Sequence, residues 1–346
     1  MMAGMTTLTR STLAASIALS LLSGGCFLLG EGGAKFIEAD DVRLDLPGAV
    51  SDRDVDPSMI HGDLHDAAIR VTEDVNTWVT SMVETSARVV EYLDRVPETS
   101  RDGSTRVYGP YADRDGRDLA WLVRIDESAD TTTFELHVGP RAAASQAEMS
   151  KLMSGSLVAT EEDRSGGFTL DFDVVEKYPE VKGEAAKLYT YAGAVDVTFE
   201  RQLGSEFKHI DMDLQGLSVI YEGFLDDDAF FGDDTYTYHR AADGSGSFRL
   251  ALLGEWDDFG WSGPAQENMT LEWAWTPTGE GRTRGSIVEV DGVGDMKHGD
   301  LALAECFGAD GYLTWRQIND AYLVEAPEYN LGDPKSCALG VDAFDK

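Results

Sequence analysis

The chain has 346 residues and carries 63 acidic against 28 basic side chains, a formal net charge of −35 at pH 7. So acidic a surface excludes nucleic acid as a partner, because phosphate binding needs Lys and Arg. It also repels anionic lipid, so attachment to a membrane requires a lipid chain or an apolar patch. An apolar content of 42% is that of a globular chain rather than a disordered one, and the acid excess suits a salty or cation-rich medium that screens self-repulsion.

The first 25 residues hold one charge, Arg10, followed by an uncharged run from Ser11 to Leu22 and the small residues Ser23, Gly24 and Gly25 before Cys26. This predicts a secretory signal peptide over residues 1–25. Leucine and small residues directly before a cysteine resemble the lipobox of bacterial lipoprotein precursors. That resemblance implies cleavage before Cys26, acylation of Cys26, and a lipid-anchored protein of the cell envelope; Phe27 after it leans the expectation to the outer membrane. Simple cleavage to a free periplasmic protein, or an uncleaved anchor over Thr12–Leu29, are the alternatives. With Cys26 assigned to a lipid, Cys306 and Cys337 remain as an even pair in an oxidising compartment, which predicts a disulfide between them.

Residues 26–56 read as a tether, with glycines near the anchor and six aspartates from Asp40 to Asp56. The remainder, 57–346, reads as a single domain. It opens on the longest helical period in the chain: Ile60, Leu64, Ala67, Val71, Val75, Trp78, Met82, Val89 and Leu93 recur at three-and-four spacing. Asp56 as cap, Pro57 at the first position and Pro97 as terminator predict one helix over 57–95, about 58 Å long, which Gly62 can shorten by a turn.

After residue 104 the period changes to two. Leu119, Trp121, Val123 and Ile125 alternate with polar or small neighbours, as do Phe134, Leu136 and Val138, and Phe168, Leu170, Phe172 and Val174. These are strands with one wet face, not buried parallel strands. Glycine-containing links at Glu161–Gly167, Asp243–Gly246, Thr278–Arg282 and Gly308–Gly311 mark hairpins. Gln215-Gly216 marks a bulge or a tight reversal, Arg141–Met153 a short helix, and Tyr178–Lys187 a turn or short helix. The expected fold is mainly β (α+β): a long N-terminal helix packed on a curved antiparallel meander of roughly fourteen strands, as a large sheet or an open barrel. In architecture alone this resembles the outer-membrane lipoprotein carriers and receptors that place a half-barrel over helices, which implies lipid carriage.

Chemistry is sparse. Gly-x-Ser-x-Gly is absent from the chain after Cys26, so no hydrolase motif appears and the protein is expected not to be an enzyme. His61 and His65 have ligand spacing on the helix but lack the glutamate of His-Glu-x-x-His, and read as two solvent-facing histidines. Asp113, Asp115 and Asp118 around Gly116 offer hard oxygen ligands for Ca²⁺, as do Asp226, Asp227, Asp228, Asp233 and Asp234, although the first set does not fit the twelve-residue helix-loop-helix register and chance clustering among 63 acids explains both. Trp256, Trp261, Trp273 and Trp275 crowd one region, which reads either as the mouth of a pocket for a lipid or other apolar ligand or as core. The function expected is therefore an envelope lipoprotein that binds or carries an apolar ligand at those tryptophans; a structural envelope lipoprotein with no pocket is the alternative. Nothing in the sequence points to a protein partner.

Overall fold

Among the described residues, fourteen antiparallel strands follow one another in simple meander order. The computed structural model describes residues 37–47, 62–93, 95–114, 116–181, 189–221, 234–255, 266–289, 301–319 and 330–344. Cys26, His61, Asp115, Trp256, Trp261 and the acids Asp226, Asp227, Asp228 and Asp233 lie outside them. In the described residues the sheet runs from β1 to β14 in sequence order and does not close into a barrel. Contacts divide the chain into two compact units.

The first unit comprises residues 1–43, 74–204 and 212–227. It holds β1 (Ser100–Asp102), β2 (Thr105–Ala112), β3 (Leu119–Glu127), β4 (Thr131–Pro140), β5 (Ser150–Ala159), β6 (Asp163–Asp171), β7 (Tyr189–Gln202) and the larger part of β8 (Lys208–Tyr221). Alternation does the sorting. Val123, Leu136, Met153, Leu170 and Val195 are directly opposite one another on successive strands, as are Ile125, Phe134, Gly155, Phe168 and Val197. Every one of these apolar side chains is buried, and together they form the inner face of this unit.

Two local expectations change and a third is narrowed. The strand expected over 168–174 ends at Asp171, whose carboxylate accepts the Val174 N–H at 3.1 Å and caps a helix over Phe172–Lys177. Phe172 and Val175 then share one buried helical face. The helix expected over 141–153 is only a 3₁₀ turn, Gln146–Glu148, because β5 already begins at Ser150. At Gln215-Gly216 the chain does not reverse: Gly216 takes φ +56° inside the single strand β8. Pro179–Val181 forms a 3₁₀ turn, and 182–188 lie outside the described residues.

The expected tether over 26–56 is not wholly a spacer. Residues 39–42 form a short helix, α1 (Ala39–Val42), and Ile37, Asp41 and Val42 are buried. Asp41 is 0% exposed and takes a forked ion pair from Arg164, whose Nε reaches its two oxygens at 2.8 and 3.0 Å and whose Nη2 reaches Oδ2 at 2.7 Å. A charge spacing that reads as solvated is here neutralised by an arginine far along the chain.

The second unit comprises residues 44–73, 205–211 and 228–346. Its strands are β9 (Asp234–Arg240), β10 (Gly246–Glu255), β11 (Gln266–Trp275), β12 (Gly281–Glu289), β13 (Leu301–Phe307) and β14 (Leu313–Asn319). Cys306 and Cys337 form the disulfide. A helix, α2, occupies Asp63–Leu93 where the sequence reading has 57–95; its first residues, to Glu73, belong to this unit and the rest to the first. It begins directly after Gly62. Its end is capped by a strand: Glu305 accepts the N–H groups of Asp63 at 3.0 Å and Leu64 at 2.9 Å. Two of the four unpaired N–H groups of the first turn are thus satisfied by a carboxylate, which also suits the positive end of the helix dipole. A Cβ on Gly62 would lie 2.6 Å from that carboxylate, so a larger residue there would push Glu305 away from the helix start.

Candidate functional site: a polar cleft on β3 to β7

In the first unit, the side chains that alternate with the buried rows make two polar rows. Arg124, Glu135, Ser154, Thr169 and Asp196 stand opposite one another across β3, β4, β5, β6 and β7. Asp126, Thr133, Ser156, Gly167 and Thr198 form the next row. A wet face is polar by default in an antiparallel sheet; this one is also concave, enclosing about 920 Å³. Gly167 contributes to the hollow by having no side chain in the second row, and it must be glycine, because a Cβ there would collide with the Val197 carbonyl.

The carboxylates of the cleft are held in place by their neighbours. Asp196 accepts a short hydrogen bond from the Thr169 hydroxyl and another from Gln215 Nε2 at 2.5 Å. Asp126 accepts from Ser104 and Thr105 hydroxyls at 2.7 and 2.8 Å, and these two bonds hold its pKa below the usual carboxylate value. Glu135 lies 3.3 Å from His137 Nε2. Arg124 and Lys151 line the same cleft; their side chains make no hydrogen bond or ion pair with the described residues, although the Arg124 charge also lowers the Asp126 pKa. What this surface can do chemically is exchange hydrogen bonds: hydroxyls that donate or accept, carboxylates with lone pairs left, and two unengaged cationic donors.

The sequence-predicted sites fall elsewhere. Trp273 is 0% and Trp275 3% exposed. Their rings meet edge to face at 5.9 Å, Trp273 packs on Phe307 at 5.0 Å, and Trp275 on Tyr238 at 5.9 Å. They are core, and the pocket mouth expected at Trp256–Trp275 is not formed by these two. His65 is equally far from the solvent-facing position expected of it. It is fully buried, 4.8 Å from the Trp273 ring and 4.5 Å from Phe307, with Nδ1 3.2 Å from Asp66. Beside it Glu305 is ion-paired to Arg316 at 2.8 Å. Burial raises the Glu305 pKa by more than Arg316 and the Leu64 N–H lower it.

Asp113 is not poised for Ca²⁺. Its carboxylate accepts from Arg117 Nη2 at 2.6 Å and from the Trp121 indole at 2.8 Å. Burial pushes its pKa up, but these hydrogen bonds outweigh it and the net shift is downward. Among the described residues no three His, Cys, Asp or Glu side chains gather as a metal site, and no described helix is long and apolar enough to cross a membrane. In the second unit a smaller hollow of about 450 Å³ is lined by Thr270, Glu272, Arg284, Ser286, Ala304 and Gln317 among others, with Arg284 ion-paired to Glu272.

The cleft residues escaped the sequence reading. Ser154-Gly155-Ser156 and Gly166-Gly167 look like any small polar stretch, and only the register across five strands brings them together. No known family, curated protein or solved structure matches the chain.

Proposed function

We propose that this is an exported cell-envelope lipoprotein, acylated at Cys26, whose folded part is a binding module taking a hydroxyl-bearing ligand on the wet face of β3 to β7. The observation that carries the reading is the 920 Å³ cleft with its two registered rows of polar side chains. An apolar ligand at the tryptophans is the weaker reading, because Trp273 and Trp275 are buried against Phe307 and Tyr238. We take helix α2 to cover apolar sheet surface in the place such a ligand would occupy. Leu64 supports this: a Cβ on Gly285 of β12 would sit 2.8 Å from its Cδ2, so the glycine makes room for it. A structural envelope role without a ligand is favoured by the same close packing of His65, Trp273 and Phe307.

Hydrogen exchange on the detergent-extracted lipoprotein separates the three. Added soluble polysaccharide should slow exchange in β4, β5 and β6. Protection by phospholipid vesicles around residues 256–275 instead would restore the apolar-ligand reading, and protection by neither would leave the structural role. Separately, a palmitate analogue should label the wild type and not Cys26→Ala.

A further inference from the structure

We infer that the cleft binds an uncharged, linear oligosaccharide that lies across the strands, with successive sugar rings over successive strands. This rests on the cleft being the binding face and adds what binds and how it lies. The polar rows run perpendicular to the strands, one side chain per strand from Arg124 on β3 to Asp196 on β7. Adjacent strands are about 4.8 Å apart, so each row is about 19 Å long. That step is close to the advance of one pyranose ring along an extended glycan. A chain laid along the first row would meet a fresh hydroxyl, carboxylate or cation at every ring, and along the second at every ring except the one over Gly167.

The chemistry of the lining selects among ligands. Ser154, Ser156, Thr133 and Thr198 can each donate and accept, Asp126 and Asp196 are fixed acceptors, and Arg124 and Lys151 are unengaged donors. Vicinal hydroxyls, each a donor and an acceptor at once, satisfy such a mixed set. An apolar ligand would bury these groups without partners. A polyanion meets three carboxylates, Asp126, Glu135 and Asp196, against two cations, on a chain of net charge −35.

The cleft lining has no aromatic ring turned to its wet side, since Phe134 and Phe168 are buried on the inner face. Stacking therefore adds little, and affinity must accumulate ring by ring through hydrogen bonds. Each added ring should tighten binding by about 2- to 10-fold, the worth of one net hydrogen bond, and the gain should stop near five rings, where the row ends.

The test is calorimetric titration of the detergent-extracted lipoprotein with cello-, chito-, malto- and manno-oligosaccharides of increasing length, alongside matched oligouronates and a Gly-Ser peptide ladder. The inference expects one neutral series to bind with a length dependence that levels near five rings. It also expects Ser156→Val with Thr198→Val to weaken that binding at least about 10-fold while the melting temperature holds. Uronates binding as tightly as the neutral series would refute the uncharged class while leaving the cleft as a binding face. A two-ring sugar binding as tightly as a long one would refute the lie across the strands. Preference for the peptide ladder would refute a sugar altogether. No binding by any probe, with no exchange protection of β4 to β6, would bring down the binding-module reading and this inference with it.

Discussion

Cutting the Cys306–Cys337 bridge should loosen the C-terminal segment and uncover the last strand of the sheet. Cys306 is completely buried in β13; Cys337 follows the 3₁₀ turn Pro334–Ser336. The segment that the bridge ties down lies along β14. Arg316 N–H donates to the Leu331 carbonyl at 2.9 Å, Leu331 N–H returns to Arg316 at 3.0 Å, and Ile318 N–H reaches Asn330 Oδ1 at 2.9 Å. Ser336 and Arg282 add bonds to Thr314 and Leu339 carbonyls, each at 3.3 Å. With a sequence separation of 31, the loop-closure argument gives about 3.7 kcal/mol at 25 °C. Cys337→Ser should therefore lower the unfolding free energy by roughly that amount in urea titrations followed by tryptophan fluorescence, and reduction of the wild type should match it. The amides of Arg316 and Ile318 should exchange faster in the same variant. A loss under about 1 kcal/mol with unchanged exchange at those two amides would refute the reasoning, since the segment would then be held without its covalent tie.

Arg164→Met should cost about 3 kcal/mol, the lower part of the range for stranding a buried charge, because Arg201 Nη1 still lies 3.5 Å from Asp41; an unchanged thermal midpoint would contradict it. Glu305 is expected to act in the opposite pH sense from most acids. Its folded pKa is raised, so the folded state holds the proton longer than the unfolded one and stability declines as pH climbs from about 4.3 through the folded value. In Glu305→Gln that decline should vanish, and a persisting slope of the same size would refute the assignment. Asp113 has a lowered pKa, so its contribution is present above about pH 3.9 and disappears as pH falls through the folded value. Asp113→Asn should thus be less stable than wild type at pH 7, with a gap that narrows as pH falls below about 3.9 through the folded value, and a gap that does not shrink on acidification would count against the Arg117 and Trp121 bonds as its source.

What could be read from the chain was what is decided locally. The turns at Asp243–Gly246, Thr278–Arg282 and Gly308–Gly311 are short-range chemistry, with Gly244, Gly279 and Gly311 at positive φ, and each joins the strands that the alternation suggests. Phe172 and Val174 misled because a spacing of two is compatible with either element until the Asp171 cap decides. His65 and Asp41 misled for a different reason. Their burial depends on Trp273, Phe307 and Arg164, partners more than a hundred residues away, and no window of sequence holds both sides of such a contact. The same is true of the cleft: Ser154 and Asp196 are ordinary polar residues of separate strands, and only strand register makes them neighbours of Thr169.

The way the sheet ends bears on which surface is left for recognition. An open sheet exposes two edges whose unpaired backbone groups can capture another strand. At one edge β1 is only three residues, Ser100–Asp102, all exposed and two of them charged. Beyond it β2 is covered by residues 97–99: Thr99 N–H donates to the Val107 carbonyl at 2.8 Å, and the Thr99 hydroxyl accepts from Gly109 N–H at 2.9 Å. At the other edge Arg316 and Ile318 of β14 are occupied by Leu331 and Asn330. Strand addition would have to displace these partners first, on the second edge against a disulfide. Recognition by faces is then the cheaper route, and in the first unit the inner face is filled by apolar side chains. In that unit the outer face of β3 to β7 is left concave and polar. For this reason a ligand contacting side chains of several strands at once fits the molecule better than one that extends the sheet.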